Sequence, residues 1–184
     1  MLDVPKDADD IPNWVFRLNR ILDSDIRILK VSVAADDFHA RFSAEEREYQ
    51  YRLADNNQIL LPLERYNTAT WFRALDVDRL NEASSLLLGE HDFVAFCKFR
   101  EDQKTVRTLK KFHWSRLDTG ILIADVAANA FCYSMVRNLV GAAVAVGEGR
   151  FEKEWAQAIL DNKERVSDSY VFPANGLTLV KVTY

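Results

Sequence analysis

The sequence predicts an α+β protein with a mostly antiparallel sheet and helices packed on one face. Residues 46–53 and 177–184 alternate polar and apolar side chains, which is the pattern of a half-buried strand. Residues 106–117 and 120–127 flank a short turn and predict a β-hairpin. Segments with the apolar spacing of a helix lie between these strands. Antiparallel hairpins interleaved with helices are typical of the α+β class.

Four segments have apolar residues at the three- and four-residue spacing of a helix. The first covers residues 12–23, and the second begins at a capping residue, Asp76, and stops at Gly89. The third lies within residues 126–147, and the fourth covers residues 152–161. The remaining predicted elements are short: strands at 68–72 and 93–96, and loops at 100–105 and 167–175.

Residues 1–44 and 45–184 are predicted to form two domains. Residues 1–4 resemble the end of a strand, and an acidic loop follows them. A strand at 26–34 comes after the first helix, and an ordered loop at 36–44 follows that strand.

Composition favours a globular cytoplasmic protein. The 184 residues are 48% hydrophobic and 28% charged with both signs mixed, which excludes global disorder. The net charge of −4 does not favour nucleic-acid binding, but a local basic patch can coexist with an acidic remainder. The first thirty residues contain no apolar signal segment, so secretion is not indicated.

The two cysteines, Cys97 and Cys132, lack the spacing of a metal site and lie among apolar neighbours. We expect both to be buried free thiols of a reducing compartment.

Arg137 is the one charged residue in the apolar stretch 126–147. An arginine stays protonated, and burying it without a partner costs several kcal/mol. It must therefore extend to water or bind an anion, and the pattern alone does not choose between the two. The central charge and the polar residues near it exclude a membrane span.

Common catalytic motifs are missing from the sequence. It contains no phosphate loop, dinucleotide fingerprint, zinc quartet or nucleophile elbow. The three histidines, His39, His91 and His113, are too far apart in sequence for a metal site and are interpreted as surface or capping residues.

Aromatic and basic residues alternate in the loop Phe38, His39, Ala40, Arg41 and Phe42. Such a loop can stack on bases and bind phosphate, or its two phenylalanines can be buried anchors. The densest basic stretch is either a solvated face or an RNA-binding edge, and it comprises Lys98, Arg100, Lys104, Arg107, Lys110 and Lys111.

Five blocks of the sequence resemble the TruA family of tRNA pseudouridine synthases. In chain order they read F-H-A-R-F-S-A, R-E-Y-Q-Y, G-E-H-D-F-V-A-F, A-N-A-F-C-Y-S-M-V-R-N-L-V-G and G-L-T-L-V-K-V-T-Y. The resemblance extends from about Leu18 to Tyr184, with the blocks in the order and spacing of the family.

The resemblance implies two RRM-like (ferredoxin-like) halves with an active cleft between them, so residues 1–44 would be the tail of the N-terminal half. It implies a homodimer that isomerises uridine to pseudouridine on the 3′ side of the tRNA anticodon stem-loop, without cofactor or metal. An aspartate attacks the flipped-out nucleoside.

The resemblance also assigns roles to single residues. Tyr49 would stack on the target base and handle protons, Arg137 would pair with the catalytic aspartate, and Leu177 would line the pocket. The loop 38–42 would bind RNA, and Arg100 and Lys104 lie where the family has a loop that helps to flip the base.

One departure concerns the nucleophile. The aspartate of the family lies in a G-R-T-D-A-G-V-H type motif, and no such motif occurs in this sequence. We therefore expect this chain alone to be inactive, as the larger C-terminal part of a synthase. The alternative is a non-catalytic RNA-binding module derived from that family.

Overall fold

The structure is a computed structural model that describes residues 11–101, 103–164 and 170–184. The expectations for residues 1–10 lie outside these ranges. The chain forms two compact units, Met1–Ser43 and Ala44–Tyr184, here called unit 1 and unit 2. The division lies one residue from the boundary expected from the sequence, while the family relationship of unit 1 stays a prediction.

Unit 1 contains one helix, α1 (Ile11–Ile21), within the residues described. The strand predicted at 26–34 is wrong, because this segment joins no ladder among the described residues. The Asn19 side chain satisfies the backbone of Ile28 instead, accepting from its amide and donating to its carbonyl at 2.8 Å each. Polar and apolar residues alternate along this segment, but its Leu29 is 91% exposed and packs against no sheet.

Unit 2 is built on a six-stranded sheet with the path β2-β1-β5-β4-β3. Strand β6 pairs with the first part of β1, and β2 pairs with the end of β1. Among the strands that the structure describes, only the β1–β2 pairing is parallel. This confirms the predicted α+β class and the mostly antiparallel sheet. The strands are β1 (Glu46–Ala54), β2 (Ala69–Thr70), β3 (Gly89–Asp92), β4 (Val106–Arg116), β5 (Leu122–Ala128) and β6 (Leu177–Thr183).

The strand predicted at 93–96 lies four residues too late. Gly89–Asp92 pairs with β4 instead, and Val94–Phe96 forms a 3₁₀ turn. The Asp92 carboxylate accepts a hydrogen bond from the Val94 amide at 3.3 Å, which satisfies a backbone donor as the chain leaves the sheet.

The described part of unit 2 contains three α-helices: α2 (Val77–Ser85), α3 (Met135–Gly147) and α4 (Glu154–Asn162). The predicted cap is confirmed, since Asp76 Oδ1 accepts from the amides of Asp78 and Arg79 at 2.8 and 3.1 Å. The helix expected within 126–147 starts only at Met135, after Ser134 adopts a left-handed conformation with φ 66°.

The hydrophobic core lies between one face of the sheet and the helices. Trp114 of β4 is 1% exposed and donates its indole N–H to Ser84 of α2 at 3.1 Å. Asn81 of α2 holds the Trp114 backbone by two hydrogen bonds, of 2.7 and 3.0 Å. These bonds fix α2 on β4 and set the position of the core.

The cysteine expectation is wrong. Cys97 and Cys132 are buried as predicted, but they form a disulfide with their Cα atoms 5.7 Å apart. The two residues are 35 positions apart in sequence, and the fold brings together the segment after the 3₁₀ turn and the segment before α3. Composition and spacing therefore gave no signal of the pairing.

An ion pair joins the end of β4 to the residue that follows β1. Arg116 donates to both carboxylate oxygens of Asp55, at 2.7 and 3.0 Å, and also to the Leu75 carbonyl at 2.9 Å. The Leu75 amide donates to Asp55 at 2.7 Å. Burial alone would raise the pKa of the Asp55 carboxyl, but the hydrogen bonds from Arg116 and Leu75 outweigh it and lower that pKa.

Candidate active site

Arg137 lies in the first turn of α3. The structure describes every residue of this helix, and Arg137 is the one that is not buried. Its Nε donates to the carbonyl of Phe172, and the Phe172 amide donates to the Arg137 carbonyl at 3.3 Å. Among the described residues, no aspartate or glutamate forms an ion pair with it. Its guanidinium is thus held by the backbone rather than by a carboxylate.

Tyr51 brings a second polar group close to Arg137. Its side chain is fully buried on β1, and its hydroxyl donates to the Pro173 carbonyl at 2.8 Å. Burial raises the pKa of this hydroxyl, and the nearby charge of Arg137 opposes that rise. The net shift is upward, so Tyr51 stays neutral at physiological pH.

Tyr49 lies two residues before Tyr51 and therefore on the same face of β1. It is only partly buried, and its ring meets Phe131 edge-to-face with centroids 5.1 Å apart. Leu177, at the start of β6, pairs with Tyr51 across the ladder and is also partly buried. Three predicted site residues, Arg137, Tyr49 and Leu177, are thus grouped around Tyr51.

The predicted loop residues Arg100 and Lys104 lie outside this group. The Arg100 guanidinium lies over the exposed ring of Tyr133, 4.3 Å from its centroid, and Lys98 lies 5.6 Å from the same centroid. The Lys104 carbonyl accepts from Arg107 at 2.6 Å. The result is an exposed cationic and aromatic surface next to the start of α3.

The predicted RNA-binding loop belongs to unit 1. The rings of His39 and Phe42 are tilted by 36° with centroids 4.4 Å apart, and Arg41 lies 5.5 Å from the Phe42 centroid. Phe42 is 76% exposed, whereas Phe38 is partly buried. The exposed ring and arginine favour the stacking interpretation of this loop over two buried anchors, and Ala40 fits the tight turn between them.

Sequence reasoning missed Tyr51 and Phe172, which surround the guanidinium. A buried tyrosine on an alternating strand is indistinguishable from an ordinary core residue, and Phe172 contributes a backbone carbonyl that no pattern reveals. The signal that did exist is the pair of tyrosines two residues apart on β1, which share a face.

Neither a metal-binding cluster nor a membrane-spanning helix occurs among the residues that the structure describes. No cluster of three or more His, Cys, Asp or Glu residues could hold a metal ion among them. Within the same residues, each helix is too short or too polar to span a bilayer. His91 contacts the Leu88 carbonyl at 2.9 Å, consistent with a structural turn.

The chain matches known proteins over most of its length. Residues 83–184 match the model of a family described as tRNA pseudouridine synthase. The tRNA pseudouridine synthase A of Frankia casuarinae is 48% identical over 178 residues, which are 96% of this chain and 65% of that protein. The enzyme of the same name from Corynebacterium glutamicum is 46% identical over 179 residues, 95% of this chain and 62% of that protein.

A more distant relative, tRNA pseudouridine synthase A of Mycobacterium leprae, is 41% identical over 168 residues, 91% of this chain and 58% of that protein. The chain thus spans somewhat less than two thirds of the length of these curated relatives. The chain belongs to the tRNA pseudouridine synthase family, and the resemblance found in the sequence is confirmed.

Proposed function

We propose that this chain is the larger, C-terminal part of a tRNA pseudouridine synthase that modifies uridine on the 3′ side of the anticodon stem-loop. The observation that supports this most directly is the placement of Arg137. It lies within the matched region, where a backbone carbonyl holds it near the Tyr51 hydroxyl. An arginine in this setting is suited to orient an incoming carboxylate.

In this proposal the target uridine leaves its stack and its base lies on Tyr49. An aspartate paired with Arg137 attacks C1′ of the nucleoside, and the N1–C1′ glycosidic bond breaks as the carboxylate–C1′ bond forms. The uracil then turns, C5 bonds to C1′, and the carboxylate–C1′ bond breaks, which releases the aspartate. The C5 proton is lost and N1 gains one, so atoms balance and no redox step occurs. Tyr49 handles the proton, and Leu177 forms an apolar wall that keeps the base in the pocket.

The remaining parts of the proposal concern RNA and partners. Phe38, His39, Ala40, Arg41 and Phe42, together with Arg100 and Lys104, contact the tRNA in the cytoplasm. The synthase acts as a homodimer. The exposed aliphatic side chains Ile59, Leu61 and Leu63, which are 94%, 67% and 91% exposed, provide apolar surface suited to a second copy.

The chain alone is inactive in this proposal, because its 184 residues contain no G-R-T-D-A-G-V-H type motif to supply the nucleophile. That observation also favours the second candidate, a non-catalytic RNA-binding module. The two differ in whether the gene encodes an aspartate motif before Met1.

The test compares this chain with a longer protein that adds the aspartate-bearing segment encoded upstream of it. Both are incubated with an unmodified tRNA transcript, and pseudouridine is mapped by chemical labelling and primer extension. We expect pseudouridine on the 3′ side of the anticodon arm with the longer protein only. Turnover by the 184-residue chain would refute its inactivity, and tRNA binding without turnover by the longer protein would favour the binding module.

A further inference from the structure

Two consecutive backbone carbonyls, of Phe172 and Pro173, are held by side chains of the candidate active site. Arg137 Nε donates to Phe172, and the Tyr51 hydroxyl donates to Pro173 at 2.8 Å. The Phe172 amide in turn donates a hydrogen bond to the Arg137 carbonyl at 3.3 Å. We call residues 172–173 the anchor segment.

Tyr51 gives the anchor segment a fixed support. On β1 it pairs with Ala124 on one side and Leu177 on the other, so its backbone lies inside the sheet. Its ring packs edge-to-face on Phe172 with centroids 6.1 Å apart, and both side chains are almost completely buried. A side chain locked by packing on a central strand holds its hydrogen-bond partner in a defined place.

Gly176 shows how closely the chain after the anchor segment approaches Tyr51. A Cβ added to Gly176 would lie 2.7 Å from Tyr51 Cζ and 2.7 Å from the Arg52 carbonyl oxygen. The missing side chain therefore permits the contact, and Tyr51, the anchor segment and the start of β6 form one packed unit.

The anchor segment determines which donors of Arg137 remain for a ligand. A guanidinium has five N–H donors in one plane. Among the described residues, Nε is the side-chain atom of Arg137 that makes a hydrogen bond, and its two terminal nitrogens make none. Two terminal nitrogens side by side are one of the geometries that bind a carboxylate through both oxygens.

We propose that Tyr51 is a positioning residue: through the anchor segment it sets the plane of the Arg137 guanidinium and so the direction in which that guanidinium meets the nucleophilic carboxylate. This inference rests on the proposed function, in which Arg137 pairs with a catalytic aspartate. A displacement of about 1 Å at such a partner can reduce turnover by orders of magnitude.

The protonation state of Tyr51 supports this role. An ionised Tyr51 would itself be the anion that pairs with Arg137 and would compete with the aspartate. Burial raises the pKa of the hydroxyl, so it remains a neutral donor to Pro173 and leaves the charge of Arg137 available.

The test uses Tyr51→Phe, which keeps the ring and removes the hydroxyl, with Tyr170→Phe as the matched control. Tyr170 lies in the same aromatic cluster, 5.4 Å from Phe172 between ring centroids, but its hydroxyl makes no hydrogen bond with the residues that the structure describes. Two readouts are taken: the ¹⁵N order parameter of the Arg137 Nε–Hε bond in the 184-residue chain, and kcat with KM for tRNA in the longer protein.

In Tyr51→Phe we expect the order parameter to fall below about 0.6 and Tyr170→Phe to remain like the wild type. We expect kcat to fall at least about tenfold with KM nearly unchanged, because the substrate-binding surface is intact. An unchanged order parameter or an unchanged kcat in Tyr51→Phe would overturn the inference. If the wild-type longer protein forms no pseudouridine, the proposed function fails, and the order parameter still decides whether Tyr51 fixes Arg137.

Discussion

At the scale of single residues, the chemistry of Arg137 depends on backbone atoms far away in sequence. Its Nε bonds to a carbonyl 35 positions later, in the segment that leads into β6. The sequence showed that a lone arginine in an apolar helix needs a partner, and Tyr49 was among the residues predicted for the site. It could not show the partner itself, because a carbonyl exists at every position and only the fold selects one.

Arg137→Met tests the role of the charge in the longer protein. We expect kcat to fall at least about 100-fold, because the carboxylate would lose its charge partner in a partly buried site. Arg137→Lys should recover little, since a lysine has no Nε to hold on Phe172 and no planar pair of donors. Steady-state kinetics on tRNA with a separate binding assay give both quantities. Loss of affinity at unchanged kcat would identify Arg137 as a phosphate ligand instead.

At the scale of secondary-structure elements, most predictions hold because apolar period and capping are local properties. The strands at both ends of unit 2, the hairpin and the capped α2 follow from their patterns. The predictions fail where pairing with a neighbouring segment determines the secondary structure. Residues 26–34 alternate but have no strand beside them in the described part of the chain. The helix expected within 126–147 begins only at Met135, because β5 continues to Ala128.

The Asp55–Arg116 pair should make the stability of unit 2 depend on pH in the acid range. The folded pKa of Asp55 lies below that of an unfolded aspartate, about 3.9. The stabilisation of unit 2 by this pair is therefore fully present above about pH 4. It is lost as the pH falls through the lowered pKa that Asp55 has in the folded state. Asp55→Asn should lower the free energy of unfolding by about 2 kcal/mol at pH 7, allowing for the partly exposed Arg116.

Urea denaturation between about pH 2 and 7 measures this effect. The variant should lose less stability than the wild type on acidification, whereas Asp118→Asn, in the turn of the same hairpin, should follow the wild type. Parallel pH profiles for wild type and Asp55→Asn would contradict the assignment.

Helices α2 and α3 pack closely at Gly147, where a glycine leaves no room for a side chain. A Cβ there would lie 2.7 Å from Leu80 Cδ2, and Leu80 is fully buried. Gly147→Ala should destabilise unit 2 by about 1–3 kcal/mol through overpacking. In a double-mutant cycle with Leu80→Ala, the combined cost should be less than the sum of the single costs, because the smaller Leu80 removes the clash. Strict additivity would show that the two positions do not collide.

At the scale of the whole molecule, the net charge of −4 hides a local basic surface. Lys98 and Arg100 lie over Tyr133, and the fold adds an aromatic ring that the sequence placed 33 to 35 positions away. The class and the family could be predicted from patterns spread over the chain. The disulfide and the anchor segment could not, since each depends on a tertiary contact between distant segments.

The basic surface predicts salt-dependent tRNA binding by the chain. Affinity should fall at least about tenfold between about 50 and 200 mM salt, because bound phosphates release counterions. Replacing Arg100 and Lys104 by alanine should make the slope of log K against log salt shallower. Lys153→Ala, which removes a partly exposed cation paired with Glu82, is the control and should leave the slope unchanged. Fluorescence anisotropy with labelled tRNA measures all three, and a flat salt response of the wild type would exclude the RNA surface.

Helix α3 is enclosed on all sides except at Arg137. Backbone amides in such a helix exchange with solvent only when the surrounding structure unfolds as a whole, whereas exposed loops open locally at far smaller cost. The guanidinium is therefore mounted on the part of unit 2 that opens least often. In the proposed function, local opening of exposed loops during RNA binding would therefore leave the geometry of the arginine unchanged.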